Sequence, residues 1–417
     1  MITAAEQTQS SCRMFYVDGK KFKTNAYLGF FRIPLRRENA TKIALLAEIL
    51  KSGTKSAPSR VELERTAEEM YGALWDVQVV KKGNEAWLSF SLEVLKHVPE
   101  EDALTFLRSL IREPKMDGWT FPEDVVKRKK EILRRRLEAQ ADEKRLFARK
   151  RCLELTAAGS GAGVWADGYA EDLMELTAEE MTCFYREIWM YAPLSLFFCG
   201  ESEGRKCLKE WKKVLDLQRK KLWECPPLHI SKAEVRTVRE QSQMTQTRVA
   251  LGFVSGCTLR SSACLAVRVL CELLGGANGV LFQEIRERQG LCYDISVSYD
   301  ATSGMVMAET GVQPQQAKHA VKEILRFFQE MGSQNIQEAD FRSAVEQIGR
   351  QYANISDDPW KILNFVAEQE ILGNGMDTEQ ILRQLRFLEP EDVQKAAKQL
   401  ALRTVYLLSN EEADTWD

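Results

Sequence analysis

Apolar and polar residues alternate with a period of two along "KTNAYLGFF" (23–31) and again along "QTRVALGFV" (246–254), the pattern of half-buried strands. Around the first, the periodicity predicts strands at 12–17, 74–80, 85–93 and 194–200. It predicts helices at 41–52, 60–71, 100–112, 122–150 and 178–190. Ser59 with Glu62, Thr120 with Glu123 and Thr177 with Glu180 have the spacing of capping boxes, and Pro122 suits a first helical turn. Around the second, strands are expected at 233–239, 292–299, 304–311 and 403–409. Helices are expected at 261–274 and 279–287, and further helices between 311 and 403.

The two halves repeat one another. Besides the strand pair already quoted, "WDVQV" (75–79) matches "YDISV" (293–297), and "LTAEEM" (176–181) matches "LEPEDV" (388–393). The three offsets are 223, 218 and 212 residues, in chain order, which indicates an internal duplication. Neighbouring strands joined by short turns imply antiparallel pairing with helices packed on one face. The expected fold is therefore α+β, with two homologous domains, each a mainly antiparallel sheet with helices packed on one face. The boundary is expected within "LDLQRKKLWECPPLHISK" (215–232), giving domains 1–222 and 223–417.

Composition narrows the function. A chain of 417 residues, 44% hydrophobic, with a formal charge of −3 and pI about 6.0, has no global reason to bind nucleic acid. No run approaches a membrane span, and "MITAAEQTQSSCRMFYV" lacks the basic-then-apolar order of a secretory leader, so a cytoplasmic chain is expected. The ten cysteines include no CxxC pair and read as buried reduced thiols; Cys257, Cys264 and Cys271 recur every seven residues, as on one helix face.

The three histidines, His97, His229 and His319, are scattered, so no local histidine metal site exists. No nucleophile elbow or phosphate loop follows a strand, and "AAGSGAG" (157–163) reads as a flexible connector. "KRKKEILRRR" (127–136) reads as the solvated face of a helix with Ile132, Leu133 and Leu137 inward; an electrostatic lure for an acidic peptide is the functional alternative. In "LLGGANGVLFQEIRERQGLCYDISV" (273–297), Gly275, Gly276 and Gly279 make a tight break between helices. Arg286 then ends a helix near Gly290, and Tyr293 starts a strand. A fixed cation and a phenol donor aimed at one spot suit an oxyanion; an arginine capping its helix beside a half-buried tyrosine is the structural alternative.

That last stretch resembles the second-domain signature of the pitrilysin/insulinase metallopeptidase family, in its bacterial branch similar to the mitochondrial processing peptidase. "GGANGVLFQEIRERQGLCY" carries the glycine break, Leu-Phe-Gln-Glu and Arg-Glu-x-x-Gly-Leu-x-Tyr of that signature. "KKFKTNAYLGF", "ALLAEILKSGTK" and "EEMYGALWDVQVVKKG" extend the resemblance to the zinc-less members. It implies a metallohydrolase-like duplicated fold. Active members carry His-x-x-Glu-His on the helix that ends in Gly-Thr, which here is "ALLAEILKSGT" (44–54). Ala44 and Glu48 stand where the resemblance puts the histidine ligands and Ala47 where it puts the general base. A third ligand, a glutamate, is expected within "EILRRRLEAQ", where Glu131 and Glu138 are the carboxylates.

The resemblance thus implies no zinc in this chain and a zinc-bearing homologous subunit as its partner in a heterodimer. Arg286 and Tyr293 would act on a peptide or small-protein substrate in the partner's active site, with Gly275, Gly276 and Gly279 binding that substrate. A catalytically inactive peptide-binding or assembly protein is the alternative.

Overall fold

The structure, a computed structural model, describes the backbone of residues 4–9 and residues 12–201, 222–226, 228, 230 and 234–410. His229 and most of the expected linker lie outside the described residues. The chain divides into two compact units. One comprises Met1–Ala139, Val164–Pro227 and Ser356–Glu368; the other comprises Gln140–Gly163, Leu228–Ile355 and Gln369–Asp417.

The first unit is built on strands β1 (Ala4–Gln9), β2 (Cys12–Asp18), β3 (Thr24–Pro34), β4 (Leu74–Lys82), β5 (Glu85–Leu95) and β6 (Leu194–Gly200), in the order β1-β2-β6-β3-β5-β4. β2 and β6 run parallel and the other pairs are antiparallel. The second is built on β7 (Arg236–Gln241), β8 (Thr247–Val254), β9 (Cys292–Asp300), β10 (Met305–Val312) and β11 (Ala401–Ser409), in the order β7-β11-β8-β10-β9 with β7 and β11 parallel. Removing β1 makes the two orders identical, so the repeats in the sequence are repeats of topology. Two α+β domains is the observed architecture. β1 was not expected from the sequence.

Helices of the first unit are α1 (Arg37–Leu50), α2 (Arg60–Glu69), α3 (Glu100–Arg112), α4 (Glu123–Asp142) and α6 (Ala178–Tyr191). α5 (Lys144–Thr156), α7 (Cys264–Gly275), α8 (Ala317–Ser333), α9 (Glu338–Ala353), α11 (Thr378–Arg386) and α12 (Pro390–Gln399) belong to the second. Tyr27, Phe31 and Ile33 of β3 alternate toward α1, α3 and α6 and join Leu88, Phe90 and Leu92 of β5 in the main core. Thr177 and Glu180 form the expected capping box, and the Ser59 hydroxyl accepts from Glu62 N. Thr120 does not cap: its hydroxyl bonds the Asp117 carbonyl, and α4 is entered from Pro122, whose carbonyl accepts from Val126 N at 3.1 Å.

β3 is buried on both faces, more than the expected half. Phe30 stacks on Trp87 at 4.0 Å and Phe15 on Phe197 at 4.6 Å on the face away from the main core. That face is covered by the start of α10 (Pro359–Ile371), where Trp360 donates to the Glu93 carboxylate at 2.6 Å and Glu368 pairs with Lys82. The equivalent face of the second sheet carries α5. Cys152 of α5 contacts the Ala250 carbonyl, and Ala148 and Cys152 pack on Ala250, Met307, Tyr406 and Leu408. Each half of the duplication therefore supplies one helix to the other half's sheet.

The expected helix 122–150 is consequently two helices, broken at Glu143 so that α4 and α5 can serve different units. The glycine-rich 157–163 is not a flexible connector. Ala157 and Ala162 are fully buried against Met305, and a Cβ on Gly163 would lie 2.7 Å from the Ala157 carbonyl. Ile132 is 44% exposed, contrary to the expectation, because Val125, Val126, Leu133 and Leu137 take the inward stripe of α4. Cys257, Cys264 and Cys271 are buried, the latter two on α7, and are reduced. Among the described residues no helix is long and apolar enough to cross a membrane.

The seat of α5 is tight at Gly252, where a Cβ would collide with the Thr156 hydroxyl. Gly252→Ala should destabilise the protein by about 1–3 kcal/mol through overpacking. Adding Thr156→Ala should recover part of that loss. Urea unfolding of the single and double variants measures both; an unchanged midpoint for Gly252→Ala would contradict the packing.

Candidate functional site

Ala44, Ala47 and Glu48 occupy one stripe of α1 and all three are buried, at 2%, 4% and 8% exposure. Two of the three offer no donor atom. The third is already engaged: Glu48 Oε1 accepts from Arg136 Nη1 at 2.7 Å, and Lys129 Nζ stands 3.6 Å from Oε2. Lys129 and Arg136 are seven residues apart on α4, two helical turns, so both project toward α1. Burial pushes the Lys129 ammonium below its usual value; Glu48 opposes this, while the charges of Arg60 and Lys51 add to it. A carboxylate held in this way is neutralised by side-chain cations.

Zinc needs about three protein ligands and an open position for water. The donors here do not fit it. Glu131 is bound to Arg134 and Arg135, and Glu138 to Arg134; both face solvent rather than Glu48. Those two arginines hold the exposed Glu131 carboxyl down at about 2. Among the described residues no group of three or more His, Cys, Asp or Glu could hold a metal ion. Within the basic run 127–136, Lys129 and Arg136 face Glu48 and Lys130 donates to the carbonyl of Leu176 at 2.9 Å, while Lys127, Arg128 and Arg135 are exposed, the solvated face that was expected.

In the second unit, α7 ends at the glycine break. A Cβ on Gly275 would collide with the backbone nitrogen of Val297, and one on Gly279 would lie 2.6 Å from the Leu274 carbonyl; Gly276 abuts Glu272. All three close approaches are made to the chain itself. The expected helix 279–287 is wound as a π-helix over Phe282–Arg288, with Gln289 N donating five residues back to the Glu284 carbonyl at 3.0 Å. Gly290 then turns the chain at φ +63°, as an αL cap requires.

β9 begins with an irregularity. Cys292 pairs with Val312 and Asp294 with Gly311, so Tyr293 is the extra residue of a β-bulge. Arg286 and Tyr293 thus sit on two adjacent departures from regular structure, features that re-aim side chains. Tyr293 is 65% exposed, and its hydroxyl has no hydrogen-bond partner among the described residues. Arg286 lies over the Phe282 ring at 4.5 Å, and its Nε is 3.6 Å from Glu287. Its charge is also felt at Cys292: burial pushes that thiol up, and Thr310 and Arg286 act against the rise. The cation and the phenol therefore lie at the same end of the sheet, neither consumed by a buried partner. The partners of Glu48 were not singled out from sequence, although a lysine and an arginine seven residues apart on a helix were visible.

The chain is thus built of two duplicated α+β domains, and of Ala44, Ala47 and Glu48 on α1 only Glu48 offers a donor atom, already held by Arg136 and Lys129. A family profile described as "Peptidase M16 inactive domain" matches residues 175–348. Over 405 residues, 95% of each chain, the sequence is 24% identical to the "Probable inactive metalloprotease YmfF" of Bacillus subtilis (strain 168). A conserved protein from Enterococcus faecalis V583 of known structure superposes with a TM-score of 0.90 at 22% identity, covering 99% of this chain and 100% of that one. The peptidase M16 inactive domain from Pseudomonas fluorescens gives 0.83 at 16%, covering 99% and 100%. Residues 175–348 thus match the M16 inactive-domain profile, and the chain as a whole has the fold of these proteins, in keeping with the pitrilysin/insulinase resemblance.

Dialysis of the purified chain against micromolar zinc, followed by elemental analysis, should find no stoichiometric metal; about one zinc per chain would contradict the account of Glu48. Glu48→Ala should leave Lys129 and Arg136 without their counter-charge. It should cost about 2 kcal/mol, less than a fully buried pair because Arg136 is 41% exposed, and should change zinc content not at all.

Proposed function

We propose that this chain is the zinc-free subunit of a heterodimeric zinc metalloendopeptidase acting on peptides or small proteins. In this reading a homologous subunit supplies the zinc site, and the hydrolytic chemistry belongs to it. Arg286 and Tyr293 of this chain hold the scissile carbonyl and donate to its oxygen as negative charge develops. The observation that carries the reading is the presentation of both residues on the π-helix and the bulge, with the tyrosine hydroxyl left unpaired. A scaffold has no use for a phenol held out in that way. β9 is the last strand of its sheet and β4 the last of the other, so each has a backbone edge without a neighbouring strand among the described residues. Such an edge suits an extended peptide added as a further strand.

Capture of this chain from its native cells, with mass spectrometry of what accompanies it, should recover a homologue bearing His-x-x-Glu-His. With that partner, Tyr293→Phe should lower kcat by ~10²–10³ while leaving assembly and peptide binding intact. Arg286→Lys keeps the charge, loses the planar fork, and should also be damaging. Near-normal kcat in Tyr293→Phe would remove the catalytic role. Recovery without a zinc-bearing homologue would favour an inactive peptide-binding or assembly protein.

A further inference from the structure

We infer that Arg248, Asp294 and Gly311 form a clamp across three strands that holds Tyr293 out of the sheet; the inference rests on the role given to Tyr293 above. β8, β10 and β9 lie side by side, and Gly311 of β10 is opposite Arg248 on one side and Asp294 on the other. Arg248 Nη1 reaches over Gly311 to both oxygens of Asp294, at 2.9 and 3.0 Å. A Cβ at position 311 would lie 2.5 Å from that nitrogen and 2.8 Å from Asp294 Oδ1. A side chain there would have to push the guanidinium off the carboxylate.

The neighbouring residue completes the grip, because the Thr310 hydroxyl donates to the Asp294 backbone carbonyl at 2.6 Å. Arg145 of α5 stands 3.8 Å from the same carboxylate, so the helix supplied by the other half of the chain reinforces the clamp. Asp294 is the residue that follows the bulge, and the residue before it, Cys292, is buried at 7% exposure. Both ends of the bulge are therefore fixed, and Tyr293 between them has no register into which to slip. A slip of one residue would send every side chain of the strand to the opposite face. Arg248, Asp294 and Gly311 are positioning residues, acting on the substrate only through Tyr293.

The test is fluorine NMR of the full chain carrying 3-fluorotyrosine, with the Tyr293 signal assigned by its loss in Tyr293→Phe. Gly311→Ala, which blocks the crossing, and Arg248→Gln, which removes the charge, should each shift or broaden that signal while the other tyrosine signals stay in place. In the assembled peptidase the same variants should lower kcat on the order of 10²-fold at similar KM, as for a misplaced catalytic group. If no mixture cleaves peptide, the peptidase reading fails while the fluorine signal still decides the clamp. Two variants with wild-type melting temperature and an unmoved Tyr293 signal would overturn it.

Discussion

A carboxylate buried in a protein core must have a counter-charge, and Glu48 meets that requirement from within the chain. α1 packs under the first sheet with Ala44 and Ala47 closing around Glu48, and α4 lies where Lys129 and Arg136 can reach its two oxygens. The contact joins α1 to α4, the two helices on which the pitrilysin/insulinase resemblance places the zinc ligands. Here side-chain cations hold the one carboxylate, and alanines stand where the resemblance puts one histidine ligand and the general base. The exposed cation and phenol, Arg286 and Tyr293, lie in the second unit.

Regular structure was largely legible in the sequence because its cause is local. β6 was legible as an apolar run and β8, to within a residue, from its alternation, and α3 from its apolar spacing. The errors have tertiary causes. β3 is buried on both faces because Phe15, Phe30, Trp87 and Phe197 build a second layer that α10 covers, a partner more than three hundred residues away in sequence. The division of 122–150 at Glu143 follows from α5 packing on the second sheet. Neither could be read from a window of neighbouring residues.

The candidate site divides in the same way. The resemblance located Arg286, Tyr293, Ala44, Ala47 and Glu48 by sequence pattern. It did not show that a π-helix carries Arg286 or that a bulge ejects Tyr293. It was also silent about Glu48 being held by α4. Gly311 illustrates why: its neighbours in sequence give it no special reason to be glycine, and the reason lies in an ion pair between the strands on either side.

The central claim is that Tyr293 faces substrate. Placing the photo-crosslinking residue benzoylphenylalanine at position 293 tests it directly, by irradiating the assembled complex with a labelled peptide in place. The account predicts a covalent adduct between this chain and the peptide, mapped to position 293 and suppressed by excess unlabelled peptide. Adducts formed only within the chain, with the peptide bound but never captured from position 293, would contradict it.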